Sequence, residues 1–266
     1  MRKSKFMLSS WLTVVVLVSG MSAAEAAGSG ANAANGKTIF TQGKGDTVTA
    51  CVTCHGDQAQ GNDGMGAPRL ANIGYGYVVK QLTDFSQDKR TPAGVGAVMP
   101  GFAKALSEQE RRDIAAYVNS LDTAPELSDL KALKADGQQV GEAYKGEAMV
   151  GFGIPAKAVP ACTSCHGYNG SGVDPIFPKI GQQKYVYLIN QLHNWRANAA
   201  DVAAGVTPRT NDPVVGKVGM MRAVAKKLSD EDINNVAAFL SFASPVKGAG
   251  DTAIDNKTLL EAVEKK

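Results

Sequence analysis

The chain has 266 residues, a formal net charge of +3 and a hydrophobic share of 44%. That length allows two domains of ordinary size. The near-neutral balance gives no reason to expect nucleic acid or an anionic membrane surface as a partner.

The first residues read as an export signal. Arg2, Lys3 and Lys5 form a basic start, and Trp11 to Val18 are apolar apart from Thr13. Ala24-Glu25-Ala26 is an A-x-A site, so residues 1–26 are expected to be cleaved near Ala26 or Ala27. The alternative, an uncleaved anchor, needs a longer apolar core to span a bilayer comfortably. Cleavage leaves about 240 residues. The leader holds three basic residues and one acid, so about +1 remains on the mature chain.

Next comes Cys51-Val52-Thr53-Cys54-His55, which returns as Cys162-Thr163-Ser164-Cys165-His166. C-x-x-C-H is the attachment signature of a c-type haem. Two thiols add across the porphyrin vinyl groups, and the adjoining histidine is held beneath the iron as an axial ligand. All four cysteines lie in these motifs, as do two of the three histidines. A bare C-x-x-C also serves as a redox dithiol, a zinc half-site or a disulfide. A dithiol calls for a βαβ context that is missing here, and a four-cysteine zinc site gives the adjoining histidines no role. The expectation is therefore two covalently attached haem c groups and no disulfide framework. Attachment of haem to this motif occurs outside the bacterial cytoplasmic membrane, in agreement with export to the periplasm.

The two halves align well beyond the cysteines. Pro68 and Pro178 follow their histidines by 13 and 12 residues. From there Tyr75 matches Tyr185, Tyr77 matches Tyr187, Gln81 matches Gln191, Leu82 matches Leu192 and Phe85 matches Trp195. Met99 to Ser107 lies over Met221 to Ser229, with a longer segment before the second methionine, around Asn198 to Gly219. The fold class expected is all-α, because strand signals are weak throughout. Each half is a small helical unit: 27–122 first, 123–137 as linker, 138–245 second, 246–266 as a tail. Opening helices are expected near Asn35 to Phe40 and near Gln138 to Lys145, and middle helices over Tyr77 to Leu82 and Tyr187 to Leu192. Ser107-Glu108-Gln109-Glu110 is a capping box that starts the last helix of the first half, and Ser229-Asp230-Glu231-Asp232 is its analogue. Ile114, Tyr117, Val118 and Leu121 then recur at helical spacing, as do Ile233, Val236, Ala237 and Leu240. The linker is polar, with room for a turn or two of helix around Leu127 to Leu133.

Axial ligands steer haem chemistry. His55 and His166 supply one side of each iron. Only His193 remains outside the motifs, so two bis-histidine haems are impossible. Met65, Met99, Met149, Met220 and Met221 are the thioether candidates. Met99 stands 44 residues past His55, at the end of a long loop and before Pro100. The duplication puts Met221 at the equivalent point, with Met220 as its rival. Met65 reads as surface packing. His193 is either a surface or interface residue or the second ligand of a low-potential, peroxidase-type haem. Gln81, Gln191, Tyr77, Tyr187 and Trp195 either line haem edges and reach propionates or make ordinary helix contacts.

These motifs together resemble the cytochrome c4 family: CVTCHG and ACTSCHG, a proline after each, the Y-x-x-x-Q-L helix, and a methionine ahead of A-K-x-L-S. The likeness covers most of the mature chain, and the linker and the loop before Met221 are longer than the family pattern. It implies two tandem class I cytochrome c domains, each wrapped around one covalently bound haem. It implies that the carbonyls of Pro68 and Pro178 accept a hydrogen bond from the proximal histidines, and that Met99 and Met221 complete His/Met ligation. It further implies a periplasmic electron carrier, sometimes loosely membrane-associated, and no enzyme. Its redox partners would be a cytochrome bc-type complex or a dehydrogenase as donor and a terminal oxidase or reductase as acceptor. The alternatives are a dihaem subunit of a sulfide, alcohol or sugar dehydrogenase, or a dihaem peroxidase.

Overall fold

Each half of the chain closes by crossing its opening helix over its last one. The computed structural model describes residues 30–198, 201, 207–215 and 218–244; the expected leader with its cleavage site and the C-terminal tail lie outside them. In the first half, α1 is Ala33–Gln42, α2 Val52–His55, α3 Tyr75–Ser86, α4 Met99–Ala105 and α5 Glu108–Ser120. A short α6, Leu130–Ala135, lies between the halves. The second half repeats the order with α7 Ala143–Phe152, α8 Thr163–His166, α9 Tyr185–Arg196, α10 Met220–Ala225 and α11 Asp230–Leu240. A two-strand hairpin, β1 Val214–Val215 and β2 Val218–Gly219, precedes α10 and pairs Val215 with Val218. Both halves belong to one compact unit.

Local chemistry explains the helix starts. Asn32 caps α1 by accepting from the Ala34 and Asn35 amides at 3.1 Å. The capping boxes at α5 and α11 form as expected: Glu110 N–H donates to Ser107 Oγ at 3.1 Å, and Ser107 N–H returns to Glu110 Oε2 at 2.7 Å. At α11 the same exchange runs between Ser229 and Asp232 at 3.2 and 2.8 Å. The opening helix of the second half is displaced from its expected place near 138–145. Val140 and Gly141 stay outside the helix, and Glu142 N–H is taken by Asn235 Oδ1 at 2.7 Å, so α7 starts one residue later.

The helix crossings turn on glycine. α1 packs on α5, and α7 on α11. A Cβ at Gly36 would sit 2.0 Å from the Asp113 carbonyl oxygen, and one at the equivalent Gly146 would sit 1.9 Å from that of Asn235. Only a bare Cα lets the backbones approach so closely. Around the crossings Phe40, Val118, Ile233 and Leu240 are buried, each adding about 1.5–3 kcal/mol of hydrophobic stabilisation. The linker is strapped to the second half: Ser128 Oγ accepts from Tyr185 N–H at 2.9 Å, and Lys184 Nζ donates to the Glu126 carbonyl at 2.9 Å. Gly151, also in α7, has nothing within 4 Å of a would-be Cβ.

Two glycines of one helix should therefore respond in opposite directions. Gly146→Ala is expected to lower the thermal stability of the holoprotein by about 1–3 kcal/mol through overpacking. Gly151→Ala is expected to raise it by at most about 0.5–1 kcal/mol. Thermal unfolding of the oxidised protein checks both.

Candidate functional site

One helical turn brings each cysteine pair and its histidine together. In α2 the His55 amide bonds the Cys51 carbonyl at 2.9 Å, and in α8 His166 bonds Cys162 at 2.9 Å. Positions i, i+3 and i+4 then share a face, so both sulfurs and the imidazole address the same volume. None of the four cysteines is disulfide-bonded. Burial pushes the thiols of Cys51 and Cys162 up to about 11. A redox-active dithiol needs the opposite shift. No cluster of three or more metal-ligating side chains of the zinc type occurs among the described residues.

Both proximal histidines are buried and tethered. His55 Nδ1 lies 2.9 Å from the Pro68 carbonyl oxygen, and His166 Nδ1 lies 2.9 Å from that of Pro178. A carbonyl only accepts, so Nδ1 carries the proton and Nε2 keeps the lone pair. Burial lowers both imidazole pKa values, the prolyl carbonyl opposing, which keeps the rings neutral.

These groups line a cavity of ≈ 1510 Å³ that also takes in all five candidate methionines and His193. The duplication sorts the methionines. Met149 occupies the place of the core residue Ile39 and packs on the core of its half, and Met65 occupies that of the exposed Ile176. Met99 starts α4. Beyond it Ala103 and Leu106 are buried, as are Ala225 and Leu228. That shared register pairs Met99 with Met221, one residue into α10; the neighbouring Met220 bonds the Pro213 carbonyl through its amide at 2.9 Å and lines the cavity too. His193 Nδ1 accepts from Arg196 Nη2 at 2.9 Å, and Arg196 is itself paired with Asp230. An arginine only donates, so the His193 proton sits on Nε2, the reverse of the two proximal rings.

The halves meet over a reciprocal polar network that motif reading did not reveal. Arg90 Nη1 donates to Gln81 Oε1 at 2.7 Å, and Nη2 reaches Tyr187 Oη at 3.1 Å and Gln191 Oε1 at 2.9 Å. Arg209 mirrors it, with Gln191 Oε1 at 2.7 Å, Tyr77 Oη at 3.2 Å and Gln81 Oε1 at 2.9 Å. Arg90 stacks on Phe85 and Arg209 on Trp195, at 4.6 and 4.2 Å from the ring centres. The signal was an Arg-Thr pair at 90–91 and 209–210, in the loop before each methionine.

Arg90 and Arg209 are each 8% exposed. Among the described residues no carboxylate contacts either one; the neighbouring Asp84 is held by Lys80 and by Asn211 Nδ2 at 2.7 Å. Burial and the Arg209 charge lower the proton affinity of Arg90, whereas at Arg209 Tyr77, Tyr187 and Asp84 outweigh burial and raise it. Two adjacent buried cations are costly without an anion. The carboxylates of a bound haem would supply that charge, and Arg90 and Arg209 line the same cavity as the cysteines. The donor set therefore fits haem c in each half: two sulfurs, an imidazole nitrogen, a thioether and a cationic cradle.

Comparison with known proteins agrees. The cytochrome c family model matches residues 33–122 and 155–243. Cytochrome c4 of Stutzerimonas stutzeri is 35% identical over 206 residues, 75% of this chain and 85% of that one. A protein described as a thiosulfate dehydrogenase electron acceptor, from Stutzerimonas stutzeri strain A1501, is 34% identical over 212 residues, 79% of this chain and 87% of that one. The crystal structure of reduced recombinant cytochrome c4 from Pseudomonas stutzeri superposes with a TM-score of 0.60 at 31% identity, covering 80% of this chain and all of that one. With two tandem cytochrome c units and two haem c groups on the cysteine pairs 51/54 and 162/165, this chain is an electron-carrying member of the cytochrome c4 family.

Proposed function

We propose that the protein is a periplasmic relay for single electrons, entering at one half and leaving at the other. The units proposed are 27–122 and 138–245, joined by 123–137, after removal of residues 1–26. Each bound haem supplies a one-electron ferric/ferrous couple. His55 and His166 would ligate the iron through Nε2, and Met99 and Met221 through their thioether sulfurs. Pro68 and Pro178 fix the imidazole planes, which restrains the ligands as the charge changes. Arg90 and Arg209 would hold the propionates, and their charge would make reduction of both sites more favourable. With a histidine and a methionine on each iron, substrate would be kept off it, and a peroxidase would lack the open site it needs. The observation that carries this reading is the matched pair of prolyl-tethered, neutral imidazoles, each 2.9 Å from its carbonyl, in a cavity shared with Met99 and Met221.

Donor and acceptor docking is proposed to be weak and transient, as in electron-transfer encounters generally. Respiratory complexes, such as a cytochrome bc-type donor and a terminal oxidase, are the first candidates. A second reading is supported by the 34% identical relative named for thiosulfate dehydrogenase: this chain would accept electrons from such a dehydrogenase. Mixing the oxidised protein with a purified thiosulfate dehydrogenase and thiosulfate discriminates. Prompt haem reduction favours the second reading, and none without a respiratory donor favours the first.

Met99→Ala is expected to lower the potential of one haem by on the order of 100 mV, within the span of about 0.8 V that axial ligands command. The other haem stays put. The weak methionine–iron band at the red end of the ferric spectrum should fall to half, as a redox titration with spectra will show. Arg90→Met is expected to lower potential by a few tens of millivolts, where about 59 mV corresponds to tenfold for one electron. Lys131→Met, on the exposed linker, should leave both potentials unchanged.

A further inference from the structure

Two aspartates make a second reciprocal exchange between the halves. Asp63 and Asp174 each stand eight residues past a proximal histidine, His55 or His166. Asp63 Oδ1 accepts from Val186 N–H, in the first turn of α9, at 3.0 Å. Asp174 Oδ2 and Oδ1 accept from Gly76 and Tyr77 N–H, in the first turn of α3, at 2.8 Å each. Neither helix has a side-chain cap of its own: the residue before α3 is Gly74 and the one before α9 is Lys184, and neither side chain bonds the helix. The N-terminus of α3 thus takes its cap from the haem loop of the other half, and that of α9 is shared between Asp63 and Ser128 of the linker. Negative charge there also opposes the helix dipole favourably.

The geometry points to Asp63 and Asp174 as the positioning residues for electron exchange between the two haems. The helices they cap are those that carry Tyr77 and Gln81, and Tyr187 and Gln191, the partners of the buried arginines. The loops they stand on follow directly from the haem-binding turns. Each cap therefore ties the loop after one haem motif to the helix of the other half, whose tyrosine and glutamine hold the buried arginines. Contact is close enough to exclude side chains: a Cβ at Gly76 would lie 2.6 Å from Pro175 Cβ, and one at Gly74 would lie 2.5 Å from Asp174 Oδ1. The caps are made to backbone amides, so they join each helix directly to the facing loop, alongside the Gln183 bonds to the Arg69 backbone. The exchange they serve oxidises one iron from ferrous to ferric and reduces the other from ferric to ferrous; no bond changes and no proton moves.

This inference rests on the relay reading above. The test uses the dihaem holoprotein with Asp63→Ala, Asp174→Ala and the double variant. One readout is hydrogen–deuterium exchange at the Val186 and Tyr77 amides. The other is the rate at which an electron placed on one haem by pulsed reduction redistributes to the second. Loss of a cap shifts a local equilibrium by roughly fivefold, so each freed amide should exchange about that much faster. Redistribution should slow by at least the same factor in the double variant. Asp63→Asn keeps Oδ1 as an acceptor and should restore the wild-type rate. Gly76→Ala opens the same contact without touching a charge and should slow redistribution too; it carries the test if the double variant does not fold. Faster amide exchange with an unchanged redistribution rate would reduce the aspartates to helix caps and overturn the proposal. A wild-type protein in which electrons never leave the haem first reduced would remove the relay reading itself, and the proposal with it.

Discussion

The contact on which most else depends is the hydrogen bond from a buried imidazole to a prolyl carbonyl, made once in each half at 2.9 Å. It chooses the tautomer. With the proton held on Nδ1, Nε2 keeps its lone pair and the ring stays neutral in its buried setting. The loop from each histidine to its proline must then curl back over a fixed span, 13 residues in one half and 12 in the other. That curl places Asp63 and Asp174 at the boundary between halves and starts the chain toward the middle helix. His193 shows what happens without such a carbonyl: Arg196 takes its Nδ1 and turns the proton the other way.

Duplication accounts for the boundary between halves. Each guanidinium uses the glutamine of its own half and the tyrosine and glutamine of the other, over an aromatic ring of its own half. The long segment before Met221 takes part in this arrangement. It delivers Arg209 and Asn211, and Asn211 also engages Asp84 of the first half. Lys80 adds a bond to the Asn211 carbonyl at 2.9 Å. Another tie is one-sided: Gln183 grips the backbone of Arg69 at both its N–H and its carbonyl, at 2.7 and 2.9 Å. Such dense pairing of polar groups specifies one arrangement of the halves, since each group left unpaired there would cost about 1–3 kcal/mol.

What was legible in the sequence is local chemistry. The C-x-x-C-H turns, the capping boxes at Ser107 and Ser229 and the middle helices depend on residues a few positions apart, and they form where expected. Comparing the halves recovered more, because Ala103 and Ala225 keep Met99 and Met221 in register. The opening helix of the second half was misplaced: Gly146 and Gly151 blur its pattern, and its start is set by Asn235, far along the chain. The antiparallel strands Val214–Val215 and Val218–Gly219 have two residues each, too short for a period to register. The arginine pair and the exchanged caps join residues about a hundred positions apart, so no local pattern reports them. Met65 and Met149 reach the cavity as well, which sequence position alone did not indicate.

The central claim is that protein side chains fill both axial positions of both irons, so that only electrons pass. Carbon monoxide added to the fully reduced dihaem protein tests it most directly. The account predicts a ferrous spectrum unchanged by the gas at neutral pH. Formation of a carbon monoxide adduct at either haem, in proportion to protein, would contradict it.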